Sequence, residues 1–205
     1  MNIHTEVFEK VKKAKARILV VTKYLSPEDT HYFLEKVLPT YKSCIFGIGE
    51  NRIERITEKN LPREVTHFIG NLQSKKIPEI ARLCSTVHSL CSLSHAKILA
   101  SGDRLPSVFI EVNISGSAKK QGIAPEELGD FLAQLQDLPL KVLGISAMGA
   151  GDFTESEKRA EFRRLIALRD EFLPGKSISA GTSRDFEIAL EEGIDVVRVG
   201  ERIFQ

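Results

Sequence analysis

The sequence predicts a parallel α/β protein closed into a (β/α)8 barrel, and three observations carry that expectation. Apolar runs rich in Ile, Leu, Val and Thr recur eight times, the pattern of strands covered on both faces in a parallel sheet. A helical pattern separates each run from the next. A count of eight favours closure over an open sheet, and 205 residues lie at the short end for such a barrel. No composition break, flexible linker or low-complexity tract divides the chain, so residues 1–205 read as a single barrel domain.

The elements follow in order. Val7, Phe8, Val11 and Ala14 stand at helical spacing among charges, which predicts an amphipathic helix over residues 5–15. Arg17-Ile-Leu-Val-Val-Thr-Lys23 is the first strand, with a lysine where it ends. Ser26-Pro27-Glu28-Asp29 supplies an N-cap, a first-turn proline and two carboxylates for the helix dipole. The helix that begins there carries Phe33, Leu34, Val37 and Leu38 and is expected to stop at Pro39. Strand two is Ser43–Ile48, opening into Gly49-Glu-Asn-Arg52; Ile53 and Ile56 begin a helix that Pro62 ends. Strand three is Val65–Ile69, before Gly70-Asn71, with Ile77, Ile80 and Ala81 on the next helix.

Thr86–Leu90 is strand four, followed by a helix over Ser94–Ala100 closed by Gly102. Ser107–Val112 is strand five, and its helix starts at Pro125-Glu126-Glu127 with Leu128, Phe131, Leu132 and Leu135 on one face. Leu140–Ile145 is strand six. Thr154-x-x-Glu157 is a capping box opening a long helix through Phe172. Ser177–Ala180 is a short strand seven, Ser183–Glu192 a helix with Gly193 past its end, and Ile194–Val199 strand eight. Gln205 follows almost directly, so the eighth helix is missing, and the helix over residues 5–15 is expected to cover the sheet where it would lie.

Composition bounds the function classes. Lysine plus arginine (29) nearly balances aspartate plus glutamate (28), a net charge of +1, so bulk electrostatics argues for neither nucleic acid nor an anionic membrane. No apolar run approaches the roughly 18 residues of a membrane span. The N-terminus lacks the charged and apolar regions of a signal peptide, which makes a cytoplasmic location the expectation. Cys44, Cys84 and Cys91 form no Cys-x-x-Cys pair, which argues against a zinc site or disulfide framework, and Cys44 in an apolar run and Cys84 at the end of a helical pattern read as buried thiols.

A barrel of this kind places its site at the C-terminal ends of the strands. Ser179-Ala-Gly-Thr-Ser183 offers a flexible glycine and the hydroxyls of Thr182 and Ser183 at a helix start, and Gly200 allows close backbone approach after strand eight. These are the two loops where barrels often hold phosphate, although a capped helix and a turn glycine explain each motif equally well alone. Lys23 reads as a snorkelling rim cation or, if desolvated near other cations, as an amine able to form a Schiff base. Arg198 either pairs with Glu201 or Asp195, or points inward, where it would hold a pyridine nitrogen unprotonated and weaken the ring as an electron sink. An amine facing a phosphate site suggests a ligand with both an aldehyde and a phosphate, and pyridoxal 5'-phosphate (PLP) meets that description.

The motifs resemble those of the pyridoxal phosphate homeostasis proteins, single-domain relatives of the alanine racemase barrel, along nearly the whole chain. The matching segments are Val20-Val-Thr-Lys23, Gly49-Glu-Asn-Arg52, His67-Phe-Ile-Gly-Asn-Leu-Gln-Ser-Lys75, Val87-His-Ser89, Val112-Asn-Ile114, Lys120-Gln-Gly122, Ser179-Ala-Gly-Thr-Ser-Arg-Asp185 and Val197-Arg-Val-Gly200. The resemblance implies a Schiff-base role for Lys23, a phosphate role for Ser183 and the Gly200 region, a pyridine-nitrogen contact from Arg198, and pocket roles for Asn51 and His67. The sequence departs from the family at Ile48, usually phenylalanine, at Ala180 and Thr182, usually methionines, and at Gly144-Ile-Ser-Ala-Met148, which puts a role for Met148 in doubt. The N-terminal region is shorter than is typical. His88 reads as a core histidine, and Gln73-Ser-Lys-Lys76 as either a phosphate or partner contact or a helix start with solvated lysines.

Three functions compete. A PLP carrier would hold the cofactor on Lys23 without dedicated turnover. A racemase would need a second acid/base opposite Lys23, and none of Tyr24, Tyr32 and Tyr41 lies in a segment resembling the alanine racemase tyrosine. A PLP-independent phosphate-binding barrel would make the Lys23 resemblance accidental. The carrier is the expectation: a cytoplasmic monomer whose partner is PLP, with transient contacts to PLP-dependent enzymes and none to nucleic acid or membrane.

Overall fold

The computed structural model describes residues 2–117, 120–149 and 153–204; Met1 and Gln205 lie outside them. Eight parallel strands close into a barrel in sequence order. They are β1 (Arg17–Val21), β2 (Ile45–Glu50), β3 (Thr66–Phe68), β4 (Thr86–Leu90), β5 (Ser107–Glu111), β6 (Val142–Ser146), β7 (Ser177–Ser179) and β8 (Val196–Val199). The seam closes between β1 and β8, with Leu19 opposite Arg198 and Val20 opposite Val199. The continuous apolar runs form strands because helices cover their outer faces, so Ile18, Val20, Val108, Ile110, Val197 and Val199 are all buried.

The helices are α1 (Glu6–Lys13), α2 (Pro27–Tyr32), α3 (Leu38–Tyr41), α4 (Ile53–Glu58), α5 (Ile77–Leu83), α6 (Leu93–Ala100), α7 (Leu128–Leu135), α8 (Glu155–Phe172) and α9 (Phe186–Glu191). Pro39 does not end the helix after β1. A π turn over Phe33–Val37 widens the chain, the Leu38 N–H reaches back to the Phe33 carbonyl, and Pro39 falls in the first turn of α3, where its missing N–H is not needed. The Ser26 and Thr154 caps both form, Ser26 accepting from the Asp29 amide and Thr154 from the Glu157 amide.

α1 packs across the seam. Phe8 is fully buried, stacks on Tyr41 of α3 at 4.5 Å between ring centroids and tilts against Phe33 at 6.5 Å. On the other side Lys10 pairs with Glu187 of α9, and the His4 amide donates to the Ile203 carbonyl at 2.9 Å. α1 thus sits between the helices of the first and last β-α units, in the place an eighth helix would take.

The barrel interior is aromatic and polar together. Phe46 of β2 meets His67 of β3 edge-on at 4.7 Å, and His88 of β4 stacks on Phe109 of β5 at 4.5 Å. His67 Nδ1 lies 3.0 Å from His88 Nε2, and His88 Nδ1 lies 2.9 Å from Ser179 Oγ on β7. The Arg17 guanidinium covers the Phe46 ring at the N-terminal end of the strands.

Candidate functional site

A cavity of about 260 Å³ opens at the C-terminal ends of the strands, lined by Lys23, Asn51, Thr182, Ser183, Arg198 and Gly200, together with Val21, Tyr24, Ile69, Met148, Arg184 and Glu201. The structure therefore gathers six of the seven expected site residues around one space. His67 is the seventh and does not line the cavity. It sits in the middle of the three-residue β3, inside the barrel against His88, and the residue this segment offers to the cavity is Ile69. Burial, with help from the Arg17 charge, pulls the His67 pKa down to about 3.

Lys23 is two residues beyond the end of β1, half-buried, with its Nζ 4.7 Å from the centroid of the exposed Tyr24 ring. Below it, the Thr22 amide donates to the Gly49 carbonyl at 3.2 Å, tying the end of β1 to β2. Asn51 follows β2 and packs against the next loop, where Gly70 is required: a Cβ there would stand 2.2 Å from the Asn51 carbonyl oxygen.

Arg198 is the cation of the cavity floor, only 6% exposed. Its Nη2 donates to the Ala147 carbonyl at 2.5 Å and touches Met148 Sδ at 3.2 Å. Its partners are thus in the barrel mouth rather than at Asp195, whose carboxylate accepts from the Ile178 amide and Arg169. Burial lowers the Arg198 pKa, against the opposing charges of Glu111 and Asp185. Burial raises the Glu111 pKa in turn, with Arg198 pulling the other way, and Glu111 Oε2 is buried without a hydrogen-bond partner. Met148, doubtful from sequence, is thus a lining residue in contact with Arg198.

The loop after β7 is a turn rather than the start of a helix, since α9 begins at Phe186. Gly181 holds φ at +84°, and the Thr182 amide and hydroxyl both donate to Asp185 Oδ1, at 2.6 and 3.0 Å. Ser183 Oγ accepts from the Gly200 amide at 3.3 Å, so its own hydrogen is turned to other acceptors. A Cβ at Gly200 would meet the Val21 carbonyl at 2.5 Å: this glycine is needed for β1 and β8 to approach. Arg184 and Glu201 complete the rim as exposed charges. The sequence shows Arg184 within a matching segment and Glu201 as a possible partner of Arg198, but not their place in the lining, which depends on how two loops meet.

Among the described residues no group of three or more His, Cys, Asp and Glu side chains is placed to hold a metal, and no helix is long and apolar enough to cross a membrane.

Comparison with known proteins places this geometry. The family model for the N-terminal domain of alanine racemase matches residues 8–205. A pyridoxal phosphate homeostasis protein of Aquifex aeolicus is 32% identical over 98% of this chain and 95% of its own. One from Pseudomonas aeruginosa is 35% identical over 76% of this chain and 72% of its own. The structure of PipY from Synechococcus elongatus with PLP bound superposes with a TM-score of 0.77, covering 97% of this chain and 100% of that one at 23% identity, a likeness of fold. The chain belongs to the family of the alanine racemase N-terminal domain and, within it, to the pyridoxal phosphate homeostasis proteins.

Proposed function

We propose that this protein binds PLP and holds it reversibly as a Schiff base on Lys23, moderating free cofactor without turning over a dedicated substrate. The observation that carries the reading is the single cavity that unites an amine (Lys23), an arginine (Arg198), a hydroxyl (Ser183) and the Thr182–Arg184 turn. That donor set fits a ligand with an aldehyde, a ring nitrogen and a phosphate. When bound, PLP supplies the aldehyde carbon to which an amine adds. Lys23 would supply that amine from the turn after β1, its two amine hydrogens and the aldehyde oxygen departing together as water. Arg198, fixed by Ala147 and Met148, would donate to the ring nitrogen and keep a proton off it, which would weaken the ring as an electron sink. Ser183 and Arg184 take the phosphate, and Asn51 borders the ring.

The PLP held by PipY and the names of the relatives support this reading. So does the lining itself. Its one phenol, Tyr24, is the neighbour of Lys23 in sequence and lies against the Lys23 ammonium, rather than facing it across the cavity as the second base of a racemase would. Transfer to apoenzymes by transient contact, a monomeric state and a cytoplasmic location belong to the same proposal.

The test is borohydride reduction of protein incubated with PLP, followed by peptide mapping. A pyridoxyl group on Lys23 is expected, and its absence there overturns the reading. Exchange of amino-acid α-protons into deuterated water then separates the two chemistries: fast, substrate-selective exchange would replace the carrier with a racemase.

A further inference from the structure

Beneath the turn that bears Lys23 lies a lysine with no exposure at all. Lys59, at the C-terminal end of α4, and Glu50, at the end of β2, each have side chains that are 0% exposed. Lys59 Nζ donates to Glu50 Oε1 at 2.6 Å and to the Thr22 carbonyl at 2.7 Å. Thr22 Oγ1 donates to the same carboxylate oxygen at 2.7 Å. Thr22 immediately precedes Lys23, and Glu50 immediately precedes Asn51. The three bonds therefore join two strand ends one residue below two cavity side chains. α4 grips the turn a second time, because Arg55 donates to the Leu25 carbonyl at 2.8 Å while the Leu25 amide closes onto the Thr22 carbonyl at 2.8 Å.

Stability does not account for this arrangement. A fully buried ion pair carries a desolvation penalty that its attraction barely offsets, and a packed apolar pair of equal volume is often as stable or more so. Burial accordingly lowers the Lys59 pKa, with the Glu50 hydrogen bond opposing it. An apolar pair could not donate to the Thr22 carbonyl. That carbonyl sets the direction in which the backbone leaves β1, and so where the Lys23 amine is carried.

We propose that the Lys59–Glu50 pair is a positioning device for Lys23, holding the Thr22–Leu25 turn so that the Lys23 amine reaches a carbonyl carbon in the cavity. The inference rests on the covalent role proposed for Lys23. Neither residue touches the ligand; they act through the backbone and through Thr22.

Two measurements test it. The first is amide hydrogen exchange on the ligand-free wild-type protein, in which the Leu25 amide is expected to be protected as strongly as the β1 amides. Exchange at the rate of an open turn overturns the proposal whatever the ligand chemistry. The second compares wild type with Lys59→Met and with the charge-neutral Glu50→Gln/Lys59→Met, which removes the amine without stranding a buried charge. In both variants Leu25 exchange should rise and trapping of pyridoxal on Lys23 should slow, each by about tenfold, while the affinity for pyridoxine 5'-phosphate, which has no aldehyde, stays within about twofold. A folded variant that adds pyridoxal at the wild-type rate refutes the role. If wild type itself takes up no pyridoxyl group at Lys23, the functional reading fails instead, and Leu25 protection still shows whether the turn is held.

Discussion

Ser183 Oγ accepts a hydrogen bond from the Gly200 amide at 3.3 Å, and that contact ties the loop after β7 to the loop after β8. Its geometry makes Ser183 a donor to whatever anion enters. Replacing it with alanine should weaken PLP binding by about tenfold, about 1.4 kcal/mol. Affinity for pyridoxal, which lacks the phosphate, should be unchanged. Titration of both ligands by protein fluorescence checks this, and an equal loss for the two would remove Ser183 from the phosphate site.

The rim carries opposing charges. Arg184 and Glu201 both line the cavity and are exposed, so their effects are modest and screened by salt. Arg184→Gln should weaken PLP binding, and Glu201→Gln should tighten it, by about two- to threefold each at low ionic strength. Both differences should shrink toward zero in about 1 M salt. Isothermal titration across a salt series reads both signs.

The two interior histidines predict acid sensitivity. His67 is depressed from its ordinary value of 6.5 to about 3, by burial and then by Arg17 of β1; His88 is depressed as well, by burial and then by His67 and Arg198 of β8. Below pH 6.5 the unfolded chain takes up protons on these imidazoles and the barrel does not. The His67 contribution is therefore whole above that pH and is lost as pH falls, by about 1.4 kcal/mol per pH unit, and His88 acts in the same direction. Chemical denaturation between pH 7 and 4 should show the slope, and His67→Asn should make it visibly shallower. A variant slope as steep as wild type would assign acid sensitivity elsewhere.

Phe8 fills the space between α1 and the helices after β1. Truncation to alanine should destabilise the fold by about 3–5 kcal/mol, because the removed ring leaves a cavity that Tyr41 and Phe33 cannot close. Denaturant titration measures the loss, with Tyr24→Ala on the exposed rim as the comparison expected to change stability by less than about 0.5 kcal/mol.

Much of the fold was readable because strands covered on both sides need unbroken apolar runs, and such runs survive inspection without any partner in view. The helix after β1 misled because the rule against proline inside a helix assumes α geometry throughout; a π turn before Leu38 resets the register and makes Pro39 a first-turn residue. β1 stops at Val21 rather than Lys23 because the chain turns there: the Thr22 carbonyl accepts from the Leu25 amide at 2.8 Å and from Lys59 at 2.7 Å instead of extending the ladder. At the site, strand-end residues were legible as types, but depth was not. Whether the side chain of His67 faces the cavity or the layer beneath it depends on the stagger of a barrel, which leaves no mark in a single segment. Lys59 was invisible for a different reason. A lysine near the end of a helical pattern reads as solvated, and only the closed barrel sets Glu50 and the Thr22 carbonyl around it.

The seat of α1 across the seam has a consequence for the order in which the protein can assemble. The pair that Lys10 makes with Glu187 joins residues 177 positions apart, so α1 waits for the segment around α9 before its flank is covered. Until then Phe8 has Phe33 and Tyr41 beside it, while the flank of α1 toward Glu187 stays uncovered. Contacts that span almost the whole chain are reached late and slowly. Docking of α1 and closure of the barrel are therefore expected to be coupled, since both need the segment around β8.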